Sequence, residues 1–307
     1  MLRKRPRGER CRACEGVVVQ APAPARLIEG GLPTEATVAQ VMVSRYADHL
    51  PLYRQAGMLA RQGILVDRAT LAGWVGTAAA EVAPVVRRMK AMLLASARLF
   101  ADETSVPVLD PGRGRTKTGW FWTIARDDRP WGGADPPAVI YTYAPGRGRE
   151  HARALLGGYR GILQCDGYGP YKALAGPAIG PGPAVVACCQ GCRRAAPWRR
   201  RSATRCATAR GCCGSSTMAA SNSTPTASSG QRGRWRSAAR TRFSPAATRG
   251  RKPGPWAAIA SLIETCKLNG VDPQRYLTDL LTRLVEGWPQ SRIDELMPWC
   301  WSKAGQA

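Results

Sequence analysis

Between Asp166 and Glu264 the chain carries no carboxylate at all. Within that gap, residues 189–255 hold 15 Lys and Arg and none of the 21 Asp and Glu. They include Arg193-Arg194 and Arg199-Arg200-Arg201, then a Ser/Thr/Ala/Gly-rich run from Gly214 to Gly230. Neither a period of 2 nor one of 3.6 survives there, so the stretch has no apolar face to bury and is expected to be disordered. A packed core must come from the sequence on either side. The whole chain, 307 residues with a formal net charge of +24, is long enough for two domains and basic enough to seek a polyanion. Nucleic acid is the commonest such partner.

Periodicity divides the rest. Residues 1–20 are a short basic, cysteine-bearing lead, and residues 21–95 read as helical. Thr34 fits an N-cap, with Val38, Val41, Met42, Tyr46 and Leu50 following at helical spacing. A second helix carries Leu52, Ala56 and Leu59, and a third begins after Asp67. Short helices broken at Pro51 and Gly63 suggest a helix-turn-helix, with Arg45, Arg54, Arg61 and Arg68 available to DNA phosphates. A plain helical subdomain with solvated arginines fits these residues equally well.

Residues 96–189 alternate differently. Strands are expected over 97–108, 119–125, 138–143, 161–166 and 184–188, with a helix over 148–156 before the fourth. Three strands, a helix and two further strands make a mixed α/β sheet in the order of a ribonuclease-H-like core. Residues 190–255 are the basic middle. Residues 256–307 return to helix: one over 256–268, Gly270 as its stop, and a second opened by Asp272-Pro273, where proline's missing N–H costs nothing.

Two acids stand where a metal site would want them. Asp102 lies inside the first strand and Asp166 ends the fourth, so neighbouring strands would bring both carboxylates to one edge of the sheet. A carboxylate inside an apolar strand is costly unless paired or bound to a cation, and hard oxygen ligands suit magnesium. Taken singly, such an Asp is more often a strand-end residue facing solvent. Glu103, by alternation, points to the opposite face. Cys11-Arg12-Ala13-Cys14 is half of a tetrahedral zinc site, and its nearest downstream partner, Cys189-Gln190-Gly191-Cys192, falls in the basic middle. His49 and His151 fall in predicted helices with no nucleophile beside them. The Gly-rich run Pro111 to Gly119 joins two strands rather than opening a helix, which excludes a Walker loop. Its Arg113, Arg115 and Lys117 suit a hairpin tip on DNA phosphates, or an ordinary solvated turn.

No run of 18 apolar residues and no secretory leader is present, so no membrane partner is expected. The 11 cysteines then read as free thiols in a reducing cytoplasm.

Several stretches, in order, resemble bacterial transposases of the insertion-sequence-66 family. They are Cys11 to Glu15, Tyr46 to Gln55, Phe100 to Thr104, Gly112 to Gly119, Asp127 to Trp131, Leu163 to Tyr168, and the tail from Ser261 through Trp301. Together they span about three quarters of the chain. The resemblance implies a DDE-type DNA transposase on a ribonuclease-H-like core, using magnesium or manganese to cut and join strands at the element's ends. It implies DNA partners (terminal repeats and target), allows a homo-oligomer, and places the protein in the bacterial cytoplasm with the nucleoid. Asp102 matches the family's first acid and Asp166 its second.

The third acid, a Glu in an Asn-Asn-x-x-Glu-Arg motif ahead of the tail element, has no counterpart. Glu264 belongs to the tail itself. Family members are longer, so the resemblance implies a copy truncated at its N-terminus. Where they read Cys-Trp-Ala-His after the fifth strand, this chain has Cys189-Gln190-Gly191-Cys192. Residues 239–248, reverse-translated with GC-rich codons and shifted by two bases, can give sequence resembling the family's just past its Glu. The middle therefore reads as a frameshifted segment and the copy as catalytically defective. The alternatives are a non-catalytic basic DNA-binding protein, and a decayed product without function.

Overall fold

The structure, a computed structural model, describes residues 24–110, 115–166, 168–174, 184–187 and 254–304. Cys11, Cys14, Arg113 and the basic middle lie outside them. The described residues fall into two compact units, one of residues up to Met89 together with those from Gly254 on, the other from Lys90 to Ala187.

The first unit is helical. Thr34 caps α1 (Glu35–Tyr46) by accepting the Thr37 N–H, as its position before the apolar period predicts. The helix stops at Tyr46, earlier than the apolar spacing through Leu50 suggests. Pro51 disfavours helical backbone at Leu50, and His49 takes a positive φ of 60°. His49 is thus an exposed turn residue, not a helical one.

Next come α2 (Leu52–Arg61), α3 (Arg68–Glu81) and α4 (Ala83–Leu94). Asp67 caps α3, accepting the Thr70 N–H at 2.6 Å. Far along the chain, α7 (Gly254–Leu268), α8 (Pro273–Val285), a 3-10 segment (Gln290–Leu296) and α9 (Pro298–Ala304) complete the unit. Asp272 caps α8 with Pro273 in its first turn, as read from sequence. α8 turns Tyr276, Leu277, Leu280 and Leu281 inward and packs on α1, while α7 packs on α1 and α3. Trp256 meets Tyr46 edge-on at 5.6 Å, Gln274 donates to the Ala36 carbonyl, and Arg88 forks onto Asp294.

The second unit is a five-stranded mixed sheet of order β3-β2-β1-β4-β5. The long strands β1 (Arg98–Leu109) and β2 (Thr116–Arg126) pair antiparallel, and β3 (Ala138–Ala144) extends them antiparallel at one edge. The chain then passes through α5 (Arg149–Leu156) to β4 (Ile162–Cys165), which lies parallel to β1. A short α6 (Gly169–Lys172) follows, and β5 (Ala184–Ala187) closes the other edge, parallel to β4. Trp122, Phe121, Ile124, Ile140, Leu99 and Leu163 are buried in this unit. Gly119 sits where a Cβ would come within 2.6 Å of the Tyr143 ring, so any other residue would force that ring to move. Among the described residues no single helix is long and apolar enough to cross a membrane, and Cys165, Cys266 and Cys300 form no disulfide.

Candidate active site

β1 is the middle strand of the sheet, and its register decides which side chains meet. Phe100 pairs with Gln164 on β4, so the pairing continued by two residues would set Asp102 opposite Asp166. Adjacent strands lie about 4.8 Å apart. The two acids therefore share a face and a sheet end, and both are half-buried. Asp102 accepts the Glu103 N–H at 3.1 Å, and Asp166 accepts the Tyr168 N–H at 3.1 Å, a turn that Asp forms readily after a strand.

Glu103 points the other way, as alternation requires, and pairs across to Trp122. Its side chain is only 1% exposed. One oxygen, Oε1, is held by the Arg147 guanidinium, whose Nε donates at 3.0 Å and whose second nitrogen donates as well. The other, Oε2, is buried without a hydrogen-bond partner, and so is the Tyr171 hydroxyl. The two groups lie close enough that each shifts the other's ionisation.

Burial raises the Glu103 carboxyl above the usual range, with Asp166 adding to the rise and Arg147 opposing it. Burial likewise pushes the Tyr171 phenol well up, followed by the charges of Glu103 and Asp102. Asp102, Glu103, Asp166 and Tyr171 thus occupy one electrostatic neighbourhood.

Aromatic rings close it. The Arg147 guanidinium lies 3.8 Å from the Tyr168 ring centroid and 4.9 Å from that of Trp120. The Tyr168 hydroxyl donates to the Arg147 carbonyl at 2.8 Å, and the Trp122 indole N–H to Gly146 at 3.3 Å. Trp122 and Tyr171 meet edge-on at 5.7 Å. Sequence reading singled out Asp102 and Asp166 but assigned nothing to Arg147 or Tyr171. The spacing from Tyr168 to Tyr171 and the lone arginine of Gly146-Arg147-Gly148 were the available signals.

The cations named from sequence fall elsewhere. Arg45 is half-buried in the last turn of α1, its guanidinium 5.6 Å from the Tyr46 ring centroid. Arg54, Arg61 and Arg68 are exposed, at the start of α2, its end, and the start of α3. Arg115 and Lys117 are exposed at the β1–β2 turn, where Lys117 approaches Asp110 at 3.4 Å. Glu264 is on α7 and pairs with Lys267 at 2.9 Å. Among the described residues no group of three or more His, Cys, Asp or Glu is placed to hold a metal ion.

Comparison with known proteins adds to this geometry. Residues 30–207 match the profile described as the Transposase IS66 family, and residues 261–299 that of the IS66 C-terminal element. The chain is 34% identical to the uncharacterized protein y4qI of Sinorhizobium fredii over 92% of its own length and 65% of that protein's. A second protein of that organism, the uncharacterized y4jD, is 49% identical over 54% of this chain and 32% of its own length. The chain thus spans less than two thirds of the length of these relatives. No solved structure matches it.

Proposed function

The chain belongs to the IS66 transposase family, and from that premise we propose that it is a DDE-type DNA transposase by descent, with a ribonuclease-H-like core, whose catalytic centre is incomplete in this copy. The observation that carries the reading is the placement of Asp102 on the central strand with Asp166 just past the parallel neighbour β4. Strand order β3-β2-β1-β4-β5, antiparallel on one side of β1 and parallel on the other, supports the core assignment.

Two carboxylates are a hard oxygen donor set, which suits magnesium or manganese. Asp102 and Asp166 would hold the ion, which when bound activates a water and stabilises the leaving oxygen of a phosphodiester. Holding two ions through both strand cleavage and joining calls for a third acid, and the chain offers none between Asp166 and Glu264. Glu103 does not substitute, because it faces the opposite side of β1 and Arg147 holds it. Glu264 sits in the other unit, paired with Lys267.

The partners proposed are the element's terminal repeats and target DNA. The two family matches leave residues 208–260 between them, which supports a frameshift over that part of residues 189–255; residues 189–207 fall inside the first match and are not supported as frameshifted. Translating the encoding DNA of residues 189–255 in all three forward frames tests this: a frame that yields the Glu-bearing helix is expected. For activity, purified chain with cognate ends and magnesium or manganese should give little or no strand transfer. Robust joining that disappears in Asp102→Asn would defeat the claim of an incomplete centre.

A second reading, non-catalytic DNA binding, is favoured by the exposed Arg54, Arg61 and Arg68 at successive helix ends and by the net charge of +24. It predicts steep salt dependence with little sequence preference. Losing DNA binding on removal of residues 1–95, but not of 189–255, would favour recognition of specific ends instead.

A further inference from the structure

Asp166 lies beyond the last residue of β4, so the sheet alone does not fix its carboxylate. A chain of contacts does. Tyr168 donates its N–H to Asp166 Oδ1, its ring lies under the Arg147 guanidinium at 3.8 Å, and its hydroxyl returns to the Arg147 carbonyl. Arg147 is in turn anchored on Glu103, the neighbour in sequence of Asp102 and one of the least exposed carboxylates in the unit. Trp120 covers a further side of the same guanidinium. The strut therefore runs from the central strand, beside one acid, to the turn that carries the other.

We propose that Arg147 is a positioning residue for Asp166, setting that carboxylate against Asp102 through the Glu103–Arg147–Tyr168 contacts. The proposal rests on the reading of Asp102 and Asp166 as the metal-holding pair. Its chemistry needs arginine in particular. A planar guanidinium can fork onto a carboxylate while lying flat on an aromatic ring, which a lysine ammonium cannot. Groups that orient a metal ligand without touching the metal typically change affinity by about 10–100-fold when removed.

The test uses the full chain and has two readouts. In metal-free buffer, amide exchange over residues 166–172 should be roughly tenfold faster in Arg147→Ala than in the wild type, with β1 and β2 unchanged. Equal exchange over that segment overturns the proposal. Arg147→Ala strands the buried Glu103 charge, so the comparison is repeated between Glu103→Gln and Glu103→Gln/Arg147→Ala, where no buried charge is left unpaired. Faster exchange confined to 166–172 is again expected. Acceleration spread evenly over the sheet in this second pair makes Arg147 a packing residue only and overturns the proposal.

The second readout is Mn2+ affinity, followed through the spin resonance of free Mn2+. Arg147→Ala should weaken it by about tenfold, Arg147→Lys should not restore it, and neither should matter further in an Asp166→Asn background. Full affinity in Arg147→Ala overturns the positioning role. If instead Asp102→Asn and Asp166→Asn both leave Mn2+ binding as it was, the metal-site reading fails, and the exchange experiment still decides whether Arg147 holds the turn.

Discussion

Asp67 shows how much one side chain can settle and how its effect depends on pH. Its carboxylate accepts the Thr70 N–H, and that bond holds its pKa below the ordinary aspartate value. A carboxyl with a depressed folded pKa adds stability that is present above its unfolded value, about 3.9, and is lost as pH falls through the folded value. Asp67→Ala should therefore lower the unfolding midpoint at neutral pH, and the gap from wild type should narrow as pH falls below the unfolded value. Urea titrations in steps from pH 7 into acid check this; a gap that does not narrow as pH falls would mean the charge is not what matters.

Caps such as Thr34, Asp67 and Asp272 are legible in sequence because donor and acceptor lie three residues apart. The Glu103–Arg147 pair is not, since its members lie 44 residues apart and meet only once β3 and the turn after it are in place. His49 escapes sequence reading for a related reason: apolar spacing runs on through Leu50, whereas α1 ends at Tyr46 and His49 takes a positive φ ahead of Pro51.

At the scale of elements, period-2 runs of apolar residues placed all five strands within a residue or so at most ends, the start of β2 excepted. That strand begins at Thr116 rather than Gly119, because the exposed Thr116, Lys117 and Thr118 pair with β1 without adding to the apolar pattern. The condition on which Asp102 and Asp166 converge, that the first and fourth strands are neighbours, is met by β1 and β4, and only their register reveals how the two acids line up. Trp122 lies on the opposite face of β2 from Thr123, the partner of Asp102, and is 1% exposed. Trp122→Ala should cost about 3–5 kcal/mol, through the cavity it leaves and the lost contact with Tyr171. A chemical-denaturation midpoint reads this directly. A cost well below that range would mean the sheet collapses into the gap.

For the whole molecule, the described residues from Gly254 on build one compact unit with those up to Met89. Nothing local announces such a pairing, because each helix shows only that it has an apolar face. Leu280 on α8 is 1% exposed, and α8 packs on α1. Leu280→Ala should destabilise by about 2–5 kcal/mol. Removing residues 254–307 should uncover the apolar side of α1 (Val38, Val41, Met42) and make the N-terminal helices susceptible to limited proteolysis. Equal protease resistance in the shortened chain would show that those helices stand alone.

That discontinuous helical unit bears on how such a gene can drift. Its halves are joined through the sheet and through the stretch from residue 188 to 253, so forming it closes a very long loop. The entropy of closure grows only with the logarithm of loop length, about 0.6 kcal/mol per doubling. Rewriting or resizing that stretch therefore hardly taxes the clasp, provided translation is back in register by the first turn of α7. A copy whose middle is rewritten can still assemble this helical unit.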